Sequence, residues 1–323
     1  MTTLFIQSLL DALTLGALYA LIALGYTMVY GVLGFINFAH SDVFAIGAWT
    51  GLLTSSLLGL SIVMGSQTVE PRGWEIFLVI PAAVLVCGLL AWVIQRLAYA
   101  PLRDAPRLNV LITAIGVSLL LQNVGQLPWV FGTDPRPMPR LIENPLLFEI
   151  QGVQVTLLPM LTIVAAMVLM VGLEVLIFHT RFGRAMRAVS MNPKVASLMG
   201  IPVDRVIDGT FVLGGALAGA AGVLFAMEYP TVQQPASNTW VLLGLKAFIA
   251  AVIGGIGNIR GAMVGGFLIA FLERFGAAAQ QFFPGIISFD TTVYRDVYCF
   301  AILIVILLVR PAGLFGRSVV EKV

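Results

Sequence analysis

Long apolar runs alternate with short polar connections along the whole chain. Seven runs are long enough to cross a bilayer, because a helical span needs about 20 mostly apolar residues. They cover residues 4–32, 43–64, 76–98, 110–131, 156–178, 206–227 and 291–309. An eighth run, residues 241–277, is rich in glycine. As one helix it would reach roughly 55 Å, less than the roughly 60 Å that two full spans and a turn need. We therefore predict two short or discontinuous helices there.

Two polar interruptions of the apolar pattern resemble each other. The first, GFINFAHSD at residues 34–42, is followed in the other half of the chain by GGIGNIRG at residues 254–261. In both, a glycine precedes an asparagine by three positions. Broken helices at membrane depth line a cavity or are buried in protein, and paired interruptions are typical of an internal inverted repeat. We predict an all-α polytopic membrane protein with about eight to nine membrane helices in a single domain, residues 1–323.

Polar residues at these interruptions are candidates for a translocation pathway, since polar groups at membrane depth usually face a cavity. The candidates are Asn37, His40, Ser41, Asp42, Lys246 and Asn258. Simpler interpretations stay open. Residues 34–42 would also suit an ordinary cytoplasmic turn, with Asp42 near the positive end of the next helix dipole. Arg260 would suit a cytoplasmic anchor, and Glu273 and Arg274 are expected to reach the membrane surface from the end of a short helix.

Composition agrees with a membrane location. Hydrophobic residues make up 59% of the chain and charged residues 11%, with a mean hydropathy of +0.99. A soluble domain carries about 25% charged residues and cannot hide this much apolar surface. The net charge of +2 gives no indication of nucleic acid binding. Cys87 and Cys299 lie inside apolar runs, so neither a disulfide nor a metal site is predicted. No Lys or Arg precedes the first apolar run, which is read as a span rather than a cleaved signal.

The distribution of Lys and Arg predicts the orientation, because short cytoplasmic loops carry most of them. The connection near Arg96 and Arg103, the loop of residues 179–205 and the C-terminus are rich in Lys and Arg and are placed in the cytoplasm. Alternation then places the N-terminus and the loop of residues 132–155 outside. That loop is expected to contain an extended proline segment and a tight hairpin at Gln151-Gly152. It would serve as a cap over the spans or as a docking surface for an external partner.

A short helix is predicted within the cytoplasmic loop of residues 179–205. Asn192 is a good N-cap, Pro193 suits the first helical position and Gly200 suits the C-terminal cap. The helix should run from Pro193 to about Met199, with Val195, Leu198 and Met199 on one apolar face. Such a helix would lie on anionic lipid or insert into a groove of a cytoplasmic partner.

No catalytic motif is present in the sequence. The chain has no phosphate-binding loop of the Walker type and no pattern for a nucleophile with its base or for metal ligands. We therefore predict that it is no enzyme and holds no cofactor. The rival class, an ion-coupled secondary transporter or channel, would need a central carboxylate in the membrane. Asp11, Glu174 and Glu273 are the nearest candidates, and none has a central position in the pattern.

Four segments resemble the permeases of branched-chain amino acid ABC importers, in particular the LivH-like subunit. They are LTLGALYALIALGYTMVYGVLGFINFAHSD at residues 13–42, TRFGRAMRAVSMNPKVASLMGI at residues 180–201, GGIGNIRGAMVGG at residues 254–266 and VRPAGLFG at residues 309–316. The chain departs from the family's usual pattern at Ser41-Asp42, where Gly-Glu is common, and at residues 190–192, where acidic residues are common. Related permeases handle urea, short amides and other small organic acids, so the substrate stays open among these and branched-chain amino acids.

The resemblance implies a bacterial inner-membrane permease that forms half of a pathway with alternating access. It implies a LivM-like second permease, two LivG/LivF-like cytoplasmic ATPases that bind ATP and Mg²⁺, a periplasmic substrate-binding protein and surrounding lipid as partners. It also implies that the loop of residues 179–205 couples to an ATPase. The coupling residues are then Arg184, Arg187, Asn192, Pro193, Lys194, Val195, Leu198, Met199 and Gly200.

Overall fold

The computed structural model describes residues 1–60, 62–63, 66–67, 70–103, 105–150, 152–285 and 289–316, and helices account for most of them. The helices are α1 (Thr2–Leu33), α2 (His40–Leu57), α3 (Ile76–Ile94), α4 (Arg107–Gly125), α5 (Leu157–His179), α6 (Arg181–Met191), α7 (Pro193–Leu198), α8 (Val203–Glu228), α9 (Asn238–Gly254), α10 (Ile259–Ala277), α11 (Ala279–Phe282) and α12 (Arg295–Val309). The strands are β1 (Ile62–Val63), β2 (Ser66–Gln67), β3 (Arg136–Pro137), β4 (Leu146–Ile150), β5 (Val153–Thr156) and β6 (Thr231–Val232).

Six helices in the described part of the chain are long and apolar enough to cross a membrane. They are α1, α3 with its C-terminal extension, α4, α5, α8 and the segment that contains α12. Three further helices, α2, α9 and α10, have 18, 17 and 19 residues. The span predicted at residues 43–64 begins earlier and ends earlier, because α2 starts at His40 and the chain turns at Gly59, whose φ is +84°. A β1–β2 hairpin follows.

α1 is the central helix of the bundle. In its most apolar stretch 94% of the residues are buried, compared with 17% for α4 and 6% for the segment with α12. The buried helices approach each other closely at glycines, as small residues allow in membrane bundles. A Cβ on Gly47 of α2 would lie 2.8 Å from Cα of Gly219 in α8, and a Cβ on Gly219 would lie 2.4 Å from the carbonyl oxygen of Ala83 in α3. The outer helices α4, α5 and α12 leave apolar faces for lipid or a partner.

Both predicted helix interruptions are present. α1 ends at Leu33 and is capped by Gly34, whose φ is +70°. α2 begins inside the protein, where the His40 ring lies against Gly25 and Ser41 lies against Gly244. α9 and α10 form a tight antiparallel hairpin. Gly255, with φ of +101°, begins its turn, and the prediction of two short helices in residues 241–277 is confirmed.

The loop of residues 132–155 covers one end of the bundle. β3 pairs with β6 of the α8–α9 connection, and the Met138 amide donates to the carbonyl of Pro230 at 2.6 Å. β4 and β5 form the predicted antiparallel hairpin, with Ile150 opposite Val153. Gly152 has φ of +83°, whereas Gln151 lies outside the described residues.

Candidate functional site

The residues of the first interruption are buried and hydrogen-bonded. Asn37 is 5% exposed, and its Oδ1 accepts a hydrogen bond of 2.7 Å from the Tyr99 hydroxyl. The His40 ring packs edge-on against Tyr26, with 4.8 Å between the ring centroids. The His40 Nε2 is buried without a hydrogen-bond partner. This segment therefore has polar groups deep in the protein, as expected where a broken helix borders a pathway.

Asp42 lies in the first turn of α2 and is 2% exposed. Its Oδ1 accepts a hydrogen bond of 2.9 Å from the Gln122 side chain of α4. Ser41 donates to the carbonyl oxygen of Phe38 at 3.2 Å. Asp42 has the favourable position at a helix N-terminus that the simpler interpretation gave it. The burial of both residues, however, differs from an exposed cytoplasmic turn.

Asn258 has a structural role at the second interruption. Its Oδ1 caps α10 by accepting from the Gly261 amide at 3.2 Å, and its Nδ2 donates to the carbonyl of Phe315 at 2.9 Å. The Phe315 amide in turn donates to the carbonyl of Gly254. The C-terminal segment is thereby fixed to the α9–α10 turn. Arg260 contacts Glu174 of α5 at 2.6 Å, with a side chain that is 70% exposed.

Lys246 lies in a separate buried cluster. Its Nζ is 2.9 Å from Glu273 Oε1 and 2.6 Å from Asp296 Oδ1, and the Tyr19 hydroxyl donates to Glu273 Oε2 at 2.8 Å. The expectation that Glu273 reaches the membrane surface was wrong, since the residue is only 6% exposed. It stays inside because Lys246 on the facing helix and Tyr19 on α1 provide buried partners for its carboxylate. The six predicted pathway residues thus occupy three places, and the structure does not bring them into one site.

The short helix predicted in the loop of residues 179–205 is present as α7, which ends at Leu198, one residue earlier than predicted. Asn192 Oδ1 accepts from the amides of Lys194 at 3.0 Å and Val195 at 3.1 Å, the expected N-cap. Gly200 follows with φ of +81°. Ala196 holds α7 against the bundle, being 4% exposed.

The outer face of this loop is apolar and open. The exposed fractions are 88% for Met191, 53% for Val195, 86% for Leu198 and 78% for Met199. We call these four residues the coupling patch. Lys194 is exposed beside it, and Arg184 is exposed on α6. Arg187 instead donates to the carbonyl of Ile177 and lies over the Phe178 ring, so it joins α6 to the end of α5.

Two ion pairs next to this loop were missed by the sequence reasoning. Arg96 pairs with Asp208, and Arg103 pairs with Asp204, so both pairs join the segment after α3 to α8. Arg96 belongs to a π-helical segment, Gln95–Tyr99, that extends α3. The same segment supplies the Tyr99 hydroxyl that bonds Asn37. The only sequence signal was an excess of basic residues in one loop and of acids at the start of the next span, which does not define pairs.

Comparison with known proteins identifies similar chains along nearly the full length. Residues 8–307 match a family described as branched-chain amino acid transport system / permease component. The high-affinity branched-chain amino acid transport system permease protein BraD of Pseudomonas aeruginosa is 39% identical over 322 residues, 99% of this chain and 98% of that protein. LivH of Escherichia coli K12, with the same description, is 39% identical over 325 residues and shares the same coverage. A probable LivH of Methanocaldococcus jannaschii is 29% identical over 306 residues, 93% of this chain and 89% of that protein.

Proposed function

This chain belongs to the branched-chain amino acid transport permease family, and from that membership we propose that it is the permease subunit of an ATP-driven importer for branched-chain amino acids. The chain is a membrane permease and no enzyme. One observation carries the link to ATP: a short capped helix holds the apolar coupling patch out from the bundle. An open apolar face flanked by basic residues is typical of a docking surface for another protein.

The proposal includes the partners and the pathway. A LivM-like permease would complete the pathway, two cytoplasmic ATPases would bind ATP and Mg²⁺, and an external binding protein would deliver the amino acid. We propose nine crossings, formed by the six long helices together with α2, α9 and α10. An odd number puts the two termini on opposite sides of the membrane, and the basic residues near the C-terminus favour the cytoplasm for that end and the outside for the N-terminus. The interruptions at residues 34–42 and in the α9–α10 turn support an inverted repeat.

The proposed mechanism is alternating access. Closure of the ATPase pair on ATP would push α7, and the bundle would rock as a rigid unit around the interrupted helices. α7 is followed after a four-residue connection by α8, which is 26 residues long and packs along α2 and α3. A push on α7 therefore reaches the buried core through one continuous helix.

Leu198→Glu tests the coupling patch. In the complete assembly, we expect leucine uptake to fall at least tenfold, because a charge would lose its hydration in an apolar interface at a cost of several kcal/mol. Recovery of the ATPases with the purified chain should fall with it. The matched control is Leu57→Glu, whose side chain is 88% exposed at the opposite end of the bundle. Normal uptake and normal ATPase recovery in Leu198→Glu would refute the docking role. Uptake driven by an ion gradient without ATPases would favour a secondary transporter.

A further inference from the structure

A cavity of about 480 Å³ lies between α1, α8, α9, α10 and α12. Its volume falls within the range of small-molecule pockets, roughly 300–1,000 Å³. Residues of the α8–α9 connection, from Tyr229 to Gln233, and the start of α9 contribute to its wall at the end of the bundle covered by β3 and β6. The buried pair of Lys246 and Glu273 closes its inner side. The cavity thus opens toward the face that we propose to be external.

Charged groups of both signs surround this cavity. Lys246, Arg274 and Arg295 are positive and Glu273 and Asp296 are negative, which gives a net charge of +1. A pocket for a simple cation or anion would concentrate one sign of charge. Opposite charges within one small pocket are instead complementary to a ligand that itself carries both signs.

Two of these charges keep capacity for a ligand. Arg274 donates to the Tyr229 hydroxyl, a neutral acceptor, and its Nε is buried without a hydrogen-bond partner. A guanidinium in this state would gain from a carboxylate, which accepts hydrogen bonds from two of its nitrogens. Asp296 contacts Lys246, yet 34% of its side-chain surface stays exposed. That carboxylate can accept from an ammonium group.

The rest of the lining includes an apolar wall. Leu15, Phe225, Leu242 and Leu243 contribute to it, next to the charged groups. An aliphatic side chain of four or fewer carbons would be removed from water there, which favours binding in proportion to the apolar area buried.

We propose that this cavity is a subsite for the zwitterionic head group of a hydrophobic amino acid. Arg274 binds the α-carboxylate, Asp296 binds the α-ammonium, and the aliphatic side chain lies on the apolar wall. The inference rests on the proposed function, because it assigns that substrate class to a site within this single chain. An aminophospholipid carries a related combination of ammonium, anion and apolar chain, so the lipid composition is part of the test.

The test is equilibrium binding of labelled leucine to the complete assembly without the external binding protein. The assembly is placed in nanodiscs of phosphatidylcholine, whose head group lacks a primary ammonium. We expect Arg274→Gln and Asp296→Asn to weaken binding at least about tenfold, as loss of one charge-assisted hydrogen bond implies. Arg72→Gln and Asp134→Asn, which remove exposed charges at the same end of the bundle, should bind leucine as the unchanged chain does.

Competition on the unchanged chain gives a second readout that is independent of variant folding. Leucinamide lacks the carboxylate and 4-methylpentanoate lacks the ammonium, so neither should displace leucine. The subsite would be overturned if either compound displaced labelled leucine as well as unlabelled leucine does. Unaltered binding in both cavity variants, or absence of saturable binding, would overturn it as well. Loss of leucine binding when phosphatidylethanolamine is added would assign the cavity to lipid and overturn it as well. ATP-driven leucine uptake by the same assembly distinguishes failure of the subsite from failure of the proposed function. Intact uptake without leucine binding in the cavity refutes the subsite alone.

Discussion

Lys246 has a side chain that is only 5% exposed, and a lone ammonium at that depth would carry a large desolvation penalty. Glu273 and Asp296 offset the penalty from two directions, one on α10 and one at the start of α12. The Tyr19 hydroxyl satisfies the second oxygen of Glu273 from α1. Four helices therefore converge on one charged cluster, and removing one partner leaves a buried charge of the opposite sign less compensated.

Glu273→Gln should destabilise the chain by about 2–3 kcal/mol, somewhat below the usual cost of breaking a buried pair because Asp296 stays close to Lys246. The measurement is thermal unfolding of the purified chain in detergent, where the midpoint should fall by several degrees. Glu174→Gln is the matched control, because its partner Arg260 is 70% exposed, and it should cost less than about 1 kcal/mol. Equal midpoints for the two variants would contradict the assignment.

Lys246 stands out in the sequence as an ionisable residue within an apolar run, but the sequence does not reveal its partner. In an apolar stretch, Lys246 and Glu273 are 27 positions apart, and the pairing depends on how α9 folds back on α10. The wrong expectation for Glu273 has the same cause. Its position near the end of a helix predicts a side chain at the membrane surface, because the sequence does not show which helices pack around it. Asn37 and Asn258 show that similar motifs need not make similar contacts. They hold equivalent positions in the two interruptions, yet Asn37 bonds to the π-helical segment and Asn258 bonds to the C-terminal segment.

At the scale of elements, close helix contacts depend on the absence of side chains at particular glycines. A Cβ on Gly222 of α8 would lie 2.4 Å from the carbonyl oxygen of Phe44 and 2.7 Å from the amide nitrogen of Ala48, both on α2. Backbone atoms cannot rotate away as a flexible side chain can. The α2–α8 contact therefore has to widen if Gly222 gains even one methyl group.

Gly222→Ala should destabilise the chain by about 1–3 kcal/mol, the usual range for overpacking. Gly172→Ala is the control, since a Cβ on Gly172 of α5 meets nothing within 4 Å. That control should be neutral or stabilising, because alanine favours a helix over glycine by roughly 1 kcal/mol. Thermal unfolding of both variants in the same detergent decides between them, and a stabilised Gly222→Ala would show that the helices do not meet at this point.

The π-helical segment Gln95–Tyr99 contacts both α8 and the first interruption. Asp208 of α8 binds Arg96, and Tyr99 binds Asn37 three residues before α2. π-helical turns inside longer helices often occur at functional positions. We infer that movement of α8 is passed through this segment to the Asn37 connection.

Asp208→Asn should therefore lower the amount of amino acid transported per ATP hydrolysed severalfold in the reconstituted assembly. Arg96 is 46% exposed and can be hydrated after the pair is lost, so stability should change by less than about 1 kcal/mol. Asp134→Asn, a change on the exposed loop before β3, should leave the ratio intact. An unaltered ratio in Asp208→Asn would show that α8 moves the pathway without the π-helical segment.

At the scale of the whole molecule, apolar run length predicted the position of every long helix but not where each one ends. The end of α2 was displaced because a glycine turns the chain at Gly59. The last predicted span, residues 291–309, matches the helical segment, which begins with a 3₁₀ turn at residues 291–294. The short helix α7 was predicted almost to the residue, because its caps depend on local chemistry at Asn192, Pro193 and Gly200. The cavity between α1 and α12 could not be predicted, because its lining comes from five helices that only the tertiary packing brings together.

We infer the orientation of the whole bundle from where Lys and Arg concentrate. The loop of residues 179–205 is strongly basic, whereas the loop before α5 balances its arginines with acids. α5, with 23 residues, separates the two loops and is long enough to cross the membrane once. If α5 crosses, the β4–β5 hairpin and α7 must face opposite compartments, with α7 in the cytoplasm.

Single cysteines at Glu149 and Ser197 test this arrangement, since both side chains are exposed. The native Cys87 and Cys299 are buried, so background labelling should be low. With a membrane-impermeant maleimide on intact spheroplasts, we expect Glu149→Cys to react and Ser197→Cys to react only after the membrane is opened. Reaction of both positions from outside would mean that α5 does not cross. Reaction of Ser197→Cys alone would show that the bundle has the opposite orientation. The coupling patch would then lie where no cytoplasmic ATPase could reach it, and the proposed importer would lose its structural basis.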